Sequence, residues 1–127
     1  MTCSIVPLRP VDRLRQDAGP IAAIYRDLDT QTAEQVVTRA LGELALTMAG
    51  LSAQMRARDL SDLHRQLRRV QRMAEHLGMV SLALVARDVR QCLDSSDVTA
   101  FSAVWSRLMR VAEQSLSQDG KPLDQTV

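Results

Sequence analysis

The chain has 127 residues, enough for one domain with a single buried core. Apolar residues make up 46% of it, yet it holds one Phe, one Trp and one Tyr, a composition that suits packed helices better than sheets. Formal net charge is +1, so no global field favours nucleic acid or an anionic membrane surface.

In chain order, residues 1–12 carry Pro7 and Pro10 without periodicity and read as an extended arm. In GPIAAIYRDL, Pro20 suits a first helical turn, and Ile21, Ile24, Tyr25 and Leu28 share one stripe, so a short helix is expected. Thr32 with Gln35 three residues later forms a capping-box signal for a second helix from Ala33 to about Arg58. Its stripe is Val37, Leu41, Leu44, Met48, Leu51 and Met55, with Gly50 a local weakness. Asp59 is the expected cap of a third helix, with Asp62 in its first turn. That helix has the stripe Leu60, Leu63, Leu67, Val70, Ala74 and Leu77, and Gly78 is its stop. A fourth helix is expected from Val80 to about Leu93. DSSD then breaks the pattern, and Ser96 or Asp97 caps a last helix burying Phe101, Val104, Trp105, Leu108 and Val111. Residues 118–127 are polar and unpatterned and read as a tail.

The resulting expectation is an all-α protein. Residues 1–30 form an arm and a short extra N-terminal helix, and residues 31–117 form an antiparallel up-down-up-down four-helix bundle. The longest apolar run, LGMVSLALVA, is short for a bilayer, and the first residues lack a signal-peptide pattern, so a soluble cytoplasmic protein without a membrane partner is expected. Cys3 and Cys92 show no metal-ligand spacing, and Cys92 sits at an apolar helical position, so neither a metal nor another cofactor is expected. No nucleophile–base arrangement or Gly-rich phosphate loop suggests an enzyme, and no stacking aromatics suggest nucleic acid.

The chemistry of the chain is concentrated in one helix. Six arginines against two aspartates lie between Arg56 and Arg72, and DLHRQLRRVQRMAEHLG holds four of them with both histidines. With Leu63, Leu67 and Val70 facing inward, His64, Arg68 and Arg72 form an outward column one turn apart, with Arg65 and Arg69 beside it. Like charges so placed do not help a helix fold. Their concentration in a nearly neutral chain favours an acidic partner, docked through Arg65, Arg68, Arg69 and Arg72.

Asp59, Leu63, Leu67, Gly78 and Leu82, followed by Asp97, Phe101, Val104 and Leu108, carry a resemblance that covers residues 33–116, about two-thirds of the chain. This segment resembles a histidine-phosphotransfer (Hpt) domain, the four-helix relay module of bacterial two-component signalling. In that register Arg68 stands where the family has its phospho-accepting His, Gln71 replaces the following Lys, and Arg72 replaces the small Gly. A guanidinium stays protonated at neutral pH and offers no nucleophilic lone pair, so Arg68 cannot accept a phosphoryl group. The resemblance therefore implies a degenerate member: an adaptor that docks a receiver domain or a histidine kinase without relaying phosphate at the usual position. Two alternatives are a non-standard phosphotransfer protein using His64, one turn before Arg68, and a helical scaffold or homodimer binding another acidic partner. His76, near the helix end, reads as a favourable C-terminal cation. The chain is compatible with a monomer or a homodimer.

Overall fold

The computed structural model describes residues 14–119, with the side chains of residues 118 and 119 left aside; the expected arm at residues 1–12, Cys3 and residues 120–127 lie outside the described residues. The described part is all-helical: α1 (Gly19–Asp27), α2 (Thr30–Arg56), α3 (Leu63–His76), α4 (Val80–Ser95) and α5 (Val98–Asp119). Contacts link α3 with α4, α4 with α5, α2 with α3 and, more sparsely, α2 with α5, while α1 touches α2 and α3.

Two helix starts differ from the sequence expectation. Asp29, not Thr32, caps α2: its Oδ1 accepts the Thr32 backbone N–H at 2.7 Å, and the helix begins three residues earlier. A carboxylate facing an orphan amide satisfies the first turn directly, so the Thr32–Gln35 box has no amide left to serve. Asp59 does not cap α3. Its Oδ1 accepts from the Ser61 N–H at 3.2 Å and the Ser61 hydroxyl at 2.7 Å, closing a turn that delays the helix to Leu63. Leu60 consequently falls in that turn and is 51% exposed instead of joining the buried stripe. At the last helix the Asp97 alternative holds: its Oδ1 accepts the Ala100 N–H at 3.0 Å.

Three helices end in the same way. At the end of α3 the Gly78 N–H donates to the Glu75 carbonyl at 3.1 Å and the Met79 N–H to the Ala74 carbonyl at 2.8 Å, with Gly78 at φ +74°. The end of α2 repeats this with Arg58 at φ 57° and the Asp59 N–H on the Gln54 carbonyl, and the end of α4 repeats it with Ser96 at φ 58°. Of the three, only Gly78 occupies the left-handed region without the strain of a side chain.

Gly78 also receives the chain entering the first helix. The Asp17 N–H donates to its carbonyl at 2.7 Å, the Val80 N–H to the Arg15 carbonyl at 3.0 Å, and the Arg15 N–H to Ser81 Oγ at 2.7 Å. Residues 15–17 are thus strapped along the α3–α4 turn, in an isolated antiparallel bridge of Gln16 with Met79. A Cβ on Gly78 would overlap the Asp17 carbonyl oxygen.

The core gathers Leu44, Met48 and Leu51 of α2, the α3 stripe, Leu82, Val85 and Val89 of α4, and Leu108 and Val111 of α5. Leu63 and Leu67 are at most 1% exposed, and burying a leucine of this kind is worth about 1.5–3 kcal/mol. Phe101 and Trp105 stack at 5.8 Å between ring centroids on the flank of this core, only half-buried. The expected α1 stripe is less covered than its pattern suggests: no α1 residue is fully buried, and Tyr25 and Leu28 are each 39% exposed.

The α2 helix is also poorly covered. By length and composition it is apolar enough to cross a bilayer, with an 18-residue window of mean hydropathy 1.2 of which 17% is buried. Ala33, Leu44, Met48 and Leu51 are nonetheless packed inside the protein, while Leu46 is 75% exposed.

The two glycines make a contrasting pair for mutagenesis. Gly78→Ala is expected to cost about 2 kcal/mol or more, because it strains the backbone and forces the strap away. Gly50→Ala meets nothing within 4 Å and is expected to raise stability by up to about 1 kcal/mol through helix propensity. Urea melts of both variants check this; equal midpoints would contradict the role given to Gly78.

Candidate functional site

The α3 helix divides its sides cleanly. Leu63, Leu67, Val70 and Ala74 are at most 1% exposed, whereas Arg65, Arg68, Arg69, Arg72, Glu75 and His76 are exposed. The sequence placed the four arginines on the outward side, and they lie there. Arg65 is partnered: its Nε lies 2.9 Å from Asp62 Oδ1 and its Nη2 donates to Asp62 Oδ2 at 3.0 Å. Gln66 donates to the same carboxylate at 3.0 Å. These hydrogen bonds, Arg65 first and Gln66 second, hold the Asp62 carboxyl below its ordinary value of 3.8. The side chains of Arg68, Arg69 and Arg72 make no hydrogen bond or ion pair with another described residue.

These side chains border an open depression of about 620 Å³, lined among the described residues by Arg65, Gln66, Arg68, Arg69, Arg72, Met73 and His76. Gln66 also lines a second depression of about 310 Å³, with Leu46, Thr47, Gly50, Leu51 and Gln54 of α2.

The other flank of α3 faces α4 and holds a different chemistry. His64, expected beside Arg68 on the outward column, is half-buried and turned so that its Nε2 lies 2.9 Å from Asp94 Oδ1. Its place one turn from Arg68 is kept, but its ring serves the α3–α4 seam. Farther along, the Arg90 Nη1 donates to Gln71 Oε1 at 2.6 Å, and Gln71 Nε2 donates to Glu75 Oε2 at 3.3 Å. Arg90 Nε is buried without a hydrogen-bond partner among the described residues. Gln71 thus links Glu75 on its own helix to Arg90 on the neighbouring one.

Sequence reasoning missed these cross-helix pairs. Asp94 reads locally as part of a loop signal, and nothing in the spacing of His64 and Asp94 announces contact across thirty positions. The exposed Leu46 lies off the α2 stripe, a signal that was present and is easily discounted, since isolated surface leucines are common.

Chemically, the outward side offers fixed positive charge, with the guanidiniums of Arg68, Arg69 and Arg72 unpaired among the described residues, and no nucleophile at position 68. Among the described residues no group of three or more His, Cys, Asp or Glu side chains is arranged to hold a metal ion. Comparisons with protein-family models, with curated proteins and with solved structures find no match for this chain.

The Asp62 pair has a definite pH signature. A carboxyl whose folded pKa is depressed stabilises the fold above its unfolded value, here near 3.8, and loses that contribution as pH falls through the folded value. Asp62→Asn is therefore expected to lower the melting temperature by a degree or two at pH 7, with the difference from wild type shrinking steadily below about pH 4. A difference that stays constant down to pH 2 would show that the carboxylate charge is not involved.

Proposed function

We propose that this chain is an Hpt-like signalling adaptor of a bacterial two-component pathway. It docks a receiver domain or a histidine kinase through Arg65, Arg68, Arg69 and Arg72 and relays no phosphate at position 68. The observation that carries the reading is the set of exposed guanidiniums Arg68, Arg69 and Arg72, without a partner among the described residues, on one helix of a chain whose net charge is only +1. A helix that needed those charges for folding would pair them; these are left to solvent, where they attract an acidic surface and speed its encounter. A receiver's cluster of acidic residues around its phosphorylated aspartate has the complementary chemistry.

The architecture belonging to this proposal is an antiparallel up-down-up-down bundle of α2, α3, α4 and α5. Its support is the closed order of contacts, α2 to α3 to α4 to α5 and back to α2. The short turns and the opposite running of the His64–Asp94 and Gln71–Arg90 pairs add to it. Phosphotransfer through His64 is the weaker alternative. Its Nε2 already faces a carboxylate at 2.9 Å, and that negative charge would oppose a phosphoryl group at the same nitrogen. The reading places the protein in the cytoplasm, where such pathways operate.

The test is a titration of receiver domains and kinase transmitter domains against wild type and the Arg69→Glu/Arg72→Glu variant. Binding is expected to weaken about tenfold or more in the variant, and also between low and high salt, with the melting temperature unchanged or slightly higher. Equal binding by variant and wild type, or no binding to any receiver or kinase, contradicts the reading.

A further inference from the structure

The α2 and α3 helices present a combination that the arginine reading alone does not use. Leu46 is 75% exposed, and one turn along, a Cβ built on Gly50 meets nothing within 4 Å. With Thr47, Leu51, Gln54 and Gln66 they line the depression of about 310 Å³, room for one large apolar side chain. Gln66 is shared with the arginine-lined depression of about 620 Å³, so a hole walled by Leu46, Gly50 and Leu51 with polar neighbours adjoins a basic rim on one surface. The rim runs from Arg65 through Arg69 and Arg72 to His76, about 16 Å along α3. Leu46, Gly50 and Gln54 step along α2 by one turn each.

From this geometry we infer that the α2–α3 surface takes an acidic amphipathic helix of the partner protein: an apolar residue enters the hole at Leu46 and Gly50 while carboxylates one and two turns along meet Arg69 and Arg72. The inference rests on the arginine-docking reading and specifies what docks. Both walls are helices whose backbone groups are already paired, so no edge is offered to a strand, and a groove between two helices suits the helix-in-groove mode. The sign of the rim selects an acidic helix. It also opposes a second copy of this chain, since a two-fold contact about Gln66 would bring the basic rims of both copies together. The leucine-walled part of the hole supplies what a charged rim lacks, a slowly dissociating anchor.

The experiment is selection of a displayed library of helical peptides on the full-length protein. Two variants serve for counter-selection: Gly50→Trp, which fills the hole, and Leu46→Glu, which puts a like charge beside the incoming carboxylates. Leu46 is largely exposed, so Leu46→Glu is expected to melt as wild type does and keeps the test decisive if Gly50→Trp folds poorly. The expected result is enrichment of helices with a large apolar residue flanked by Asp or Glu at helical spacing, binding at least tenfold more weakly to either folded variant and to Arg69→Glu/Arg72→Glu. Absence of enrichment, enrichment of neutral or basic helices, or binding indifferent to Leu46→Glu overturns the inference. Two further outcomes overturn it in favour of another occupant: a wild-type dimer that Leu46→Glu makes monomeric, or binding to anionic phosphatidylserine vesicles that Leu46→Glu abolishes. The two proposals separate in the receiver titration. If Arg69→Glu/Arg72→Glu loses a receiver that Leu46→Glu still binds at wild-type affinity, the arginine reading stands and the apolar anchor falls.

Discussion

A helix of only 14 residues that must keep Leu63, Leu67, Val70 and Ala74 dry has one rotational setting, and everything polar on it is then assigned a side. The four arginines have no inward alternative, because an unpaired guanidinium in that core would cost far more than any packing it gained. The flanks are settled by the same rotation: His64 and Gln71 meet α4, while Gln66 lies beside α2. Charge on α3 is thus a consequence of where the leucines stand. The functional proposals follow from what that rotation leaves outside.

The rotation is secured at both ends by local chemistry. At the start, Asp59 and Ser61 form a turn, and Asp62 takes up Arg65 and Gln66, neutralising part of the first turn's charge. At the end, Gly78 adopts a backbone conformation that side chains resist, closes the helix, and accepts the Asp17 amide. The strap over residues 15–17 therefore depends on the absence of one Cβ. The last turn of α3, the entry to α4 and the approach to α1 are tied into a single hydrogen-bonded junction.

What the sequence revealed and what it hid divide along physical lines. Helical periodicity is local and dense, so the five helices were legible from their own stripes, and the α3 core face from Leu63, Leu67, Val70 and Ala74. Caps were less so, since Asp29, Thr32, Asp59 and Asp62 are all credible caps and only the competition for particular amides decides among them. Contacts between helices were not legible. The pairing of His64 with Asp94 depends on how α3 and α4 slide past each other, a quantity no periodicity encodes. The exposed Leu46 with open space at Gly50 likewise becomes meaningful only once α3 stands beside it.

The central claim is that the outward side of α3 is where this protein meets a partner. The most direct measurement is the nuclear magnetic resonance spectrum of the ¹⁵N-labelled chain during titration with an acidic receiver domain. The account expects amide shifts to concentrate between Arg65 and His76, together with Leu46 and Gly50 of α2, and expects α5 to stay silent. Shifts concentrated on α5 or α1, with residues 65–76 unmoved, would contradict it.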